Sequence, residues 1–174
     1  MAQRVGNKTS RTFTFAPGVN LLVGPNGSGK STILRAIMYS AAEKQHTLDS
    51  KPSDIECTTS GPIKLKYFDF EKNNPRTQGH LPTSSGLFKF HIGAIFRSHG
   101  EVNLQLHDGM MREEHVRGHL ILLDEPDQAL DFIGAIRLAQ RLKELPAAQV
   151  IAAVHNPAIV LPTKNFRVIE LQKN

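Results

Sequence analysis

The chain has 174 residues, 40% of them hydrophobic and 21% charged, which leaves room for one domain with a genuine core and gives no basis for a disordered or membrane class. No apolar run approaches the roughly 18 residues that span a bilayer, and the start lacks the charged-then-apolar layout of a signal peptide, so the expectation is a cytoplasmic chain without direct membrane insertion. The net charge of +5 would favour an anionic partner, but the 21 Lys and Arg are scattered and fit a modestly basic surface as well, while the single Cys57 cannot form an intramolecular disulfide.

Residues 12–15 are β-prone and are followed by Pro17, Gly18 and the compact apolar run of residues 19–23. This reads as strand, turn and strand, a small N-terminal antiparallel element. Residues 24–31 then read Gly24-Pro25-Asn26-Gly27-Ser28-Gly29-Lys30-Ser31, and from Lys30 to about Ala42 the apolar residues Ile33, Leu34, Ile37 and Met38 recur at helical spacing. Residues 44–61 are polar and contain Pro52 and Gly61, as a surface connection does. Ile63, Leu65 and Tyr67 alternate with Lys64 and Lys66 and lead into Phe68 and Phe70, which suggests a half-buried strand ending near Glu71.

Residues 72–86 are loop-like, and residues 87–117 read as mainly helical, so a short helical insert is expected over about 72–117. The unbroken apolar run of residues 120–123 fits a strand covered on both faces. Residues 129–145 have helical spacing through Leu130, Ile133, Ile136 and Leu142, with Pro146 just beyond; residues 150–154 and 168–171 complete the strands. Alternating apolar strands and helices predict one α/β domain over 1–174, with a mainly parallel central sheet flanked by helices and ligands bound at the carboxyl ends of its strands.

The glycine-rich octapeptide satisfies the P-loop pattern in the context its mechanism needs, after an apolar strand and before a helix. Its glycines let successive backbone N–H groups face phosphate oxygens, and the helix start adds a positive dipole end. A nucleoside triphosphate is the natural ligand. Lys30 is placed to reach the β and γ phosphates, Ser31 to ligate Mg²⁺, and Thr32 to contact the α phosphate. The later strand delivers Asp124 and Glu125 to the same edge of the sheet, beside the P-loop strand. Asp124 would hold the Mg²⁺ shell and Glu125 would polarise the attacking water. The Asn-Lys-x-Asp element that reads guanine is absent from the late strand, so ATP is the expected nucleotide.

Leu123-Asp124-Glu125-Pro126, then Ala129-Leu130-Asp131, and beyond another strand His155-Asn156-Pro157 resemble the Walker B, D-loop and switch histidine of the ABC class of P-loop ATPases. The resemblance implies that His155 contacts the γ phosphate. It also implies a signature loop shortly before the Walker B strand, where Ser98-His99-Gly100-Glu101 fits except that His99 replaces the usual glycine. Ser98 and the Gly100 backbone would then contact a γ phosphate held by the other subunit of an ATP-bound homodimer. No Q-loop glutamine is evident; Glu71 or Gln78 falls nearest. Adenine in this class is usually stacked on an upstream aromatic, here Phe13 or Phe15.

The short insert looks closer to stand-alone members distantly related to the RecF and SMC group than to transporter subunits. The resemblance implies an ATPase acting on DNA or a partner protein, with a nucleotide-gated scaffold of little hydrolysis or a transporter ATP-binding subunit as alternatives. His115 and His119, four apart, lack a third ligand for a metal; Met110 and Met111 read as packing residues and Arg97 as a solvated or interface arginine.

Overall fold

The computed structural model describes residues 11–42, 57–58, 63–73, 98–161 and 164–173. Five strands form one sheet: β1 (Gly18–Val23), β2 (Leu65–Asp69), β3 (Leu120–Asp124), β4 (Gln149–Ala153) and β5 (Arg167–Glu170). Their spatial order is β2-β3-β4-β1-β5, and each adjacent pair is parallel. The α/β P-loop NTPase fold follows, with every strand ending at the same edge.

Successive residues of a strand point to opposite faces, and the apolar runs use both. Leu21, Ile121, Leu123, Val150 and Ala152 enter one core cluster, which also receives Ala135, Leu138, Ala139 and Leu142 from α5 (Phe132–Glu144) and Val102 and Leu106 from α3 (His99–Met110). Their neighbours Leu22, Leu120, Leu122, Ile151 and Ala153 enter the other, with Leu34 and Ile37 of α1 (Lys30–Ala42). Full burial of each of the leucine, isoleucine and valine side chains contributes roughly 2 kcal/mol. Two short helices, α2 (Phe70–Asn73) and α4 (Glu113–Val116), complete the described α-helices, and a 3₁₀ turn covers Pro157–Ile159. Among the described residues no helix is long and apolar enough to cross a membrane.

The structure departs from the sequence reading in four places. Residues 11–16 join no ladder, so the antiparallel N-terminal element does not form among the described residues. The buried Asn20 side chain instead clasps both the N–H and the carbonyl of Ala16, at 3.0 and 2.8 Å, and Gln149 Nε2 donates to the same carbonyl at 2.6 Å. Asp124 does not lie on the strand beside the P-loop strand, because β4 is interposed between β1 and β3. β2 stops at Asp69, whose carboxylate accepts from the Lys72 N–H and opens α2. α5 begins after Asp131, which caps it by accepting from Gly134 N at 2.7 Å, while residues 125–130 form turns. The expected insert is helical in its described part, as α3 and α4; Gln78 and Arg97 lie outside the described residues.

Candidate functional site

β1 runs into the loop of residues 24–29 and α1 begins at Lys30. Gly24 has φ +149°, and a Cβ there would stand 2.3 Å from the Leu171 carbonyl oxygen, so the close approach of the chain end of β5 admits only glycine. Gly27 and Gly29 carry the loop through φ values of +79° and +93°. Lys30 is 5% exposed, and its Nζ donates to the carbonyls of Gly24 at 2.7 Å and Pro25 at 3.2 Å. Burial lowers its pKa, opposed by the charges of Glu125, Asp127 and Asp124. The Ser28 hydroxyl is buried in this loop with no protein partner, as suits a cradle built for oxyanions.

Although β3 is one strand removed, α1 spans the gap: Ser31 Oγ donates to Asp124 Oδ1 at 2.8 Å. The other carboxylate oxygen accepts from Tyr67 Oη at 2.8 Å. Burial, first of all, raises the Tyr67 pKa, so the phenol remains a donor. Arg35 stands 4.0 Å from both Asp124 and Asp69, which are register partners on β3 and β2. A hydroxyl apposed to one carboxylate suits Mg²⁺, which takes few protein ligands and completes its shell with phosphate and water. The residues therefore fit the ion.

Glu125 follows at φ +53°, a left-handed conformation that costs a non-glycine residue about 1 kcal/mol. Its Oε1 lies 3.2 Å from His155 Nε2. Asp127, absent from the sequence reading, is 4% exposed and receives the backbone N–H groups of His155, at 2.7 Å, and Asn156. The only sequence signal for it was a third acid just past Pro126.

Ser98 caps α3 in a reciprocal capping box with Glu101: the Ser98 hydroxyl accepts from Glu101 N at 3.3 Å, and the Glu101 carboxylate accepts from Ser98 N at 2.8 Å. Gly100 abuts the turn after β3, since a Cβ there would meet the Ala129 carbonyl oxygen at 2.8 Å. Asn103 Nδ2 donates to Gln128 O at 2.6 Å, and the buried His107 hydrogen-bonds the Pro126 carbonyl. α3 is thereby fastened to the turn that follows the paired acids.

Phe13 lines a pocket of about 380 Å³ with Arg11, Gly27, Ser28, Gly29, Thr32 and Lys173, whereas Phe15 packs on the Leu22 cluster. At the end of β2 the buried acid is Asp69, and Glu71 is exposed. His115 faces Glu114 and His119 faces the Arg117 carbonyl, so they share no ligand. Met111 is buried in the core with Met110 against it, and Cys57 packs on the second cluster.

Residues 7–80 match the family described as AAA domain. Three curated proteins are similar. The DNA double-strand break repair Rad50 ATPase of Thermococcus kodakarensis is 35% identical over 86 residues, 48% of this chain and 10% of that protein. The zinc import ATP-binding protein ZnuC of Buchnera aphidicola is 29% identical over 157 residues, 80% of this chain and 63% of its own length. Its namesake from Wigglesworthia glossinidia brevipalpis is 29% identical over 169 residues, 88% of this chain and 70% of its length. The chain thus spans a tenth of the first relative and less than two thirds of the second. One relative is named an ATPase and two are named ATP-binding proteins; the chain is similar to each over those stretches, and its own parallel sheet and glycine loop have the form of a P-loop NTPase fold.

Proposed function

We propose that residues 1–174 act as one cytoplasmic domain that binds Mg·ATP and hydrolyses it within an ATP-sandwiched homodimer. The observation that carries this reading is the juxtaposition of Ser31 with Asp124 at 2.8 Å and of Glu125 with His155 at 3.2 Å, at one edge of the sheet. Backbone N–H groups of the loop formed by Gly24, Pro25, Asn26, Gly27, Ser28 and Gly29 receive the phosphates, Lys30 leaves its two carbonyl partners for the β and γ phosphates, and Thr32 meets the α phosphate. Ser31 and Asp124 hold Mg²⁺, which, when bound, neutralises charge developing on the phosphoryl oxygens. Glu125 takes the proton of the attacking water as the oxygen bonds to the γ phosphorus and the bond to ADP breaks. His155 orients that carboxylate and faces the γ phosphate. Ser98 and Gly100, at the start of α3, close over the nucleotide of the partner copy.

Glu125→Gln tests the reading, because it removes the base and keeps the metal pair. Light scattering with saturating Mg·ATP is expected to find a dimer, and Ser98→Arg added to it a monomer that still binds ATP. A Glu125→Gln protein that stays monomeric sinks the sandwich. The +5 charge and the DNA-repair relative favour DNA as partner. The longer alignments to two zinc import proteins favour a second reading, a transporter ATP-binding subunit. Salt-sensitive DNA binding in the presence of ATP separates the two.

A further inference from the structure

The His155 ring is about one third exposed, so packing alone does not fix where its Nε2 stands. The backbone beneath it is fixed. Val154 N donates to Leu22 O at 3.0 Å, holding the end of β4 to β1. The next two N–H groups, those of His155 and Asn156, converge on Asp127 Oδ2. The Asn156 side chain then reaches the Leu130 carbonyl at 3.3 Å and accepts from Ala158 N at 3.0 Å, starting the 3₁₀ turn Pro157–Ile159. Asp127 sits two residues beyond Glu125 in the same turn, so one short segment carries both the carboxylate that faces His155 and the carboxylate that holds its backbone.

We infer that Asp127 is a positioning residue: by gathering two consecutive backbone N–H groups on one oxygen, it sets the His155 ring at hydrogen-bond distance from Glu125. The inference rests on the hydrolytic reading of Glu125 and His155 given above. An acceptor is needed at that spot, since two partly buried N–H groups left without one would turn outward toward water and take the histidine with them. Charge is not needed for the geometry, because a neutral amide oxygen has two lone pairs in the same place and accepts both N–H groups, though less strongly. Reach is, because one more methylene would push the oxygen through the turn.

The test compares Asp127→Asn, Asp127→Glu, Asp127→Ala and His155→Ala in the full chain, by steady-state ATPase rate, Mg·ADP affinity and the amide resonances of His155 and Asn156. Asp127→Asn is expected to keep kcat within about threefold, and Asp127→Glu and Asp127→Ala to lose about tenfold or more with ADP affinity little changed. Adding Asp127→Ala to His155→Ala is expected to cost nothing further, as both act through one ring. The reverse order, Glu tolerated and Asn not, overturns the inference and assigns Asp127 an effect of charge on Lys30. If His155→Ala turns over like wild type, the catalytic reading of His155 fails; the positioning is then decided by the amides. Upfield movement of both amide protons in Asp127→Ala upholds it, and unchanged resonances overturn it. Asp127→Asn, which preserves the acceptor, keeps the comparison available should Asp127→Ala unfold.

Discussion

His107 makes the attachment of α3 to the β3 turn sensitive to protons. The ring is 3% exposed, packs edge-on against Phe70 with centroids 4.6 Å apart, hydrogen-bonds the Pro126 carbonyl and leaves Nε2 without a protein partner. Burial pushes its pKa from the ordinary 6.5 down to about 4, with the Pro126 carbonyl pulling upward and Arg141 of α5 adding to the fall. The unfolded ring therefore takes a proton more readily than the native one. Stability from this group is complete above pH 6.5 and is lost as pH falls toward 4. At pH 5 the unfolded ring is almost wholly charged and the native ring almost wholly neutral, a loss of about 2 kcal/mol that grows to about 3 near pH 4. In urea this moves the wild-type midpoint down by about 1 M between pH 7 and pH 5. His107→Gln, which cannot titrate, is expected to show a shift smaller by that amount, whatever its stability at pH 7. A constant gap between the two proteins' midpoints from pH 7 to pH 5 would refute the reasoning.

Two other substitutions follow from the geometry. Lys30→Ala is expected to weaken Mg·ATP binding by about tenfold to a hundredfold, as removal of one charged hydrogen-bonding group does; calorimetry returning wild-type affinity would rule out the phosphate role. Gly100→Ala drives a methyl into the Ala129 carbonyl, a contact of 2.8 Å against backbone, and is expected to cost about 1 to 3 kcal/mol with a matching fall in Tm; an unchanged Tm would mean that the helix start is not packed tightly against Ala129.

The parts of this molecule that sequence revealed are those written in consecutive residues. The loop from Gly24 to Ser31 needs glycines at fixed places, and the short apolar run of residues 120–123 fits a strand buried on both faces, so both were legible. The order of strands was not, because nothing local to β4 says that it enters between β1 and β3. Asp127 was invisible for a related reason: its partners lie 28 and 29 residues onward, and a carboxylate after a proline reads as an ordinary turn. Phe13 and Phe15 share parity along an extended segment, so alternation could not separate them, whereas the structure sends Phe13 to the pocket and Phe15 to the core. Residues 12–15 had the composition of a strand, yet pairing requires a neighbour, and the Asn20 side chain had already taken the polar groups of Ala16.

The lysine that donates to the Gly24 and Pro25 carbonyls ties the loop with a group from its own chain. Glycine-rich segments wander when nothing holds them, and their ordering would otherwise fall to the nucleotide on arrival. Here the ammonium holds the curve of the loop while also facing the acids around it. Loss of Lys30 therefore reaches beyond the missing phosphate contact. The unliganded loop itself should slacken, and faster amide exchange across residues 24–29 would register that change before any nucleotide is added.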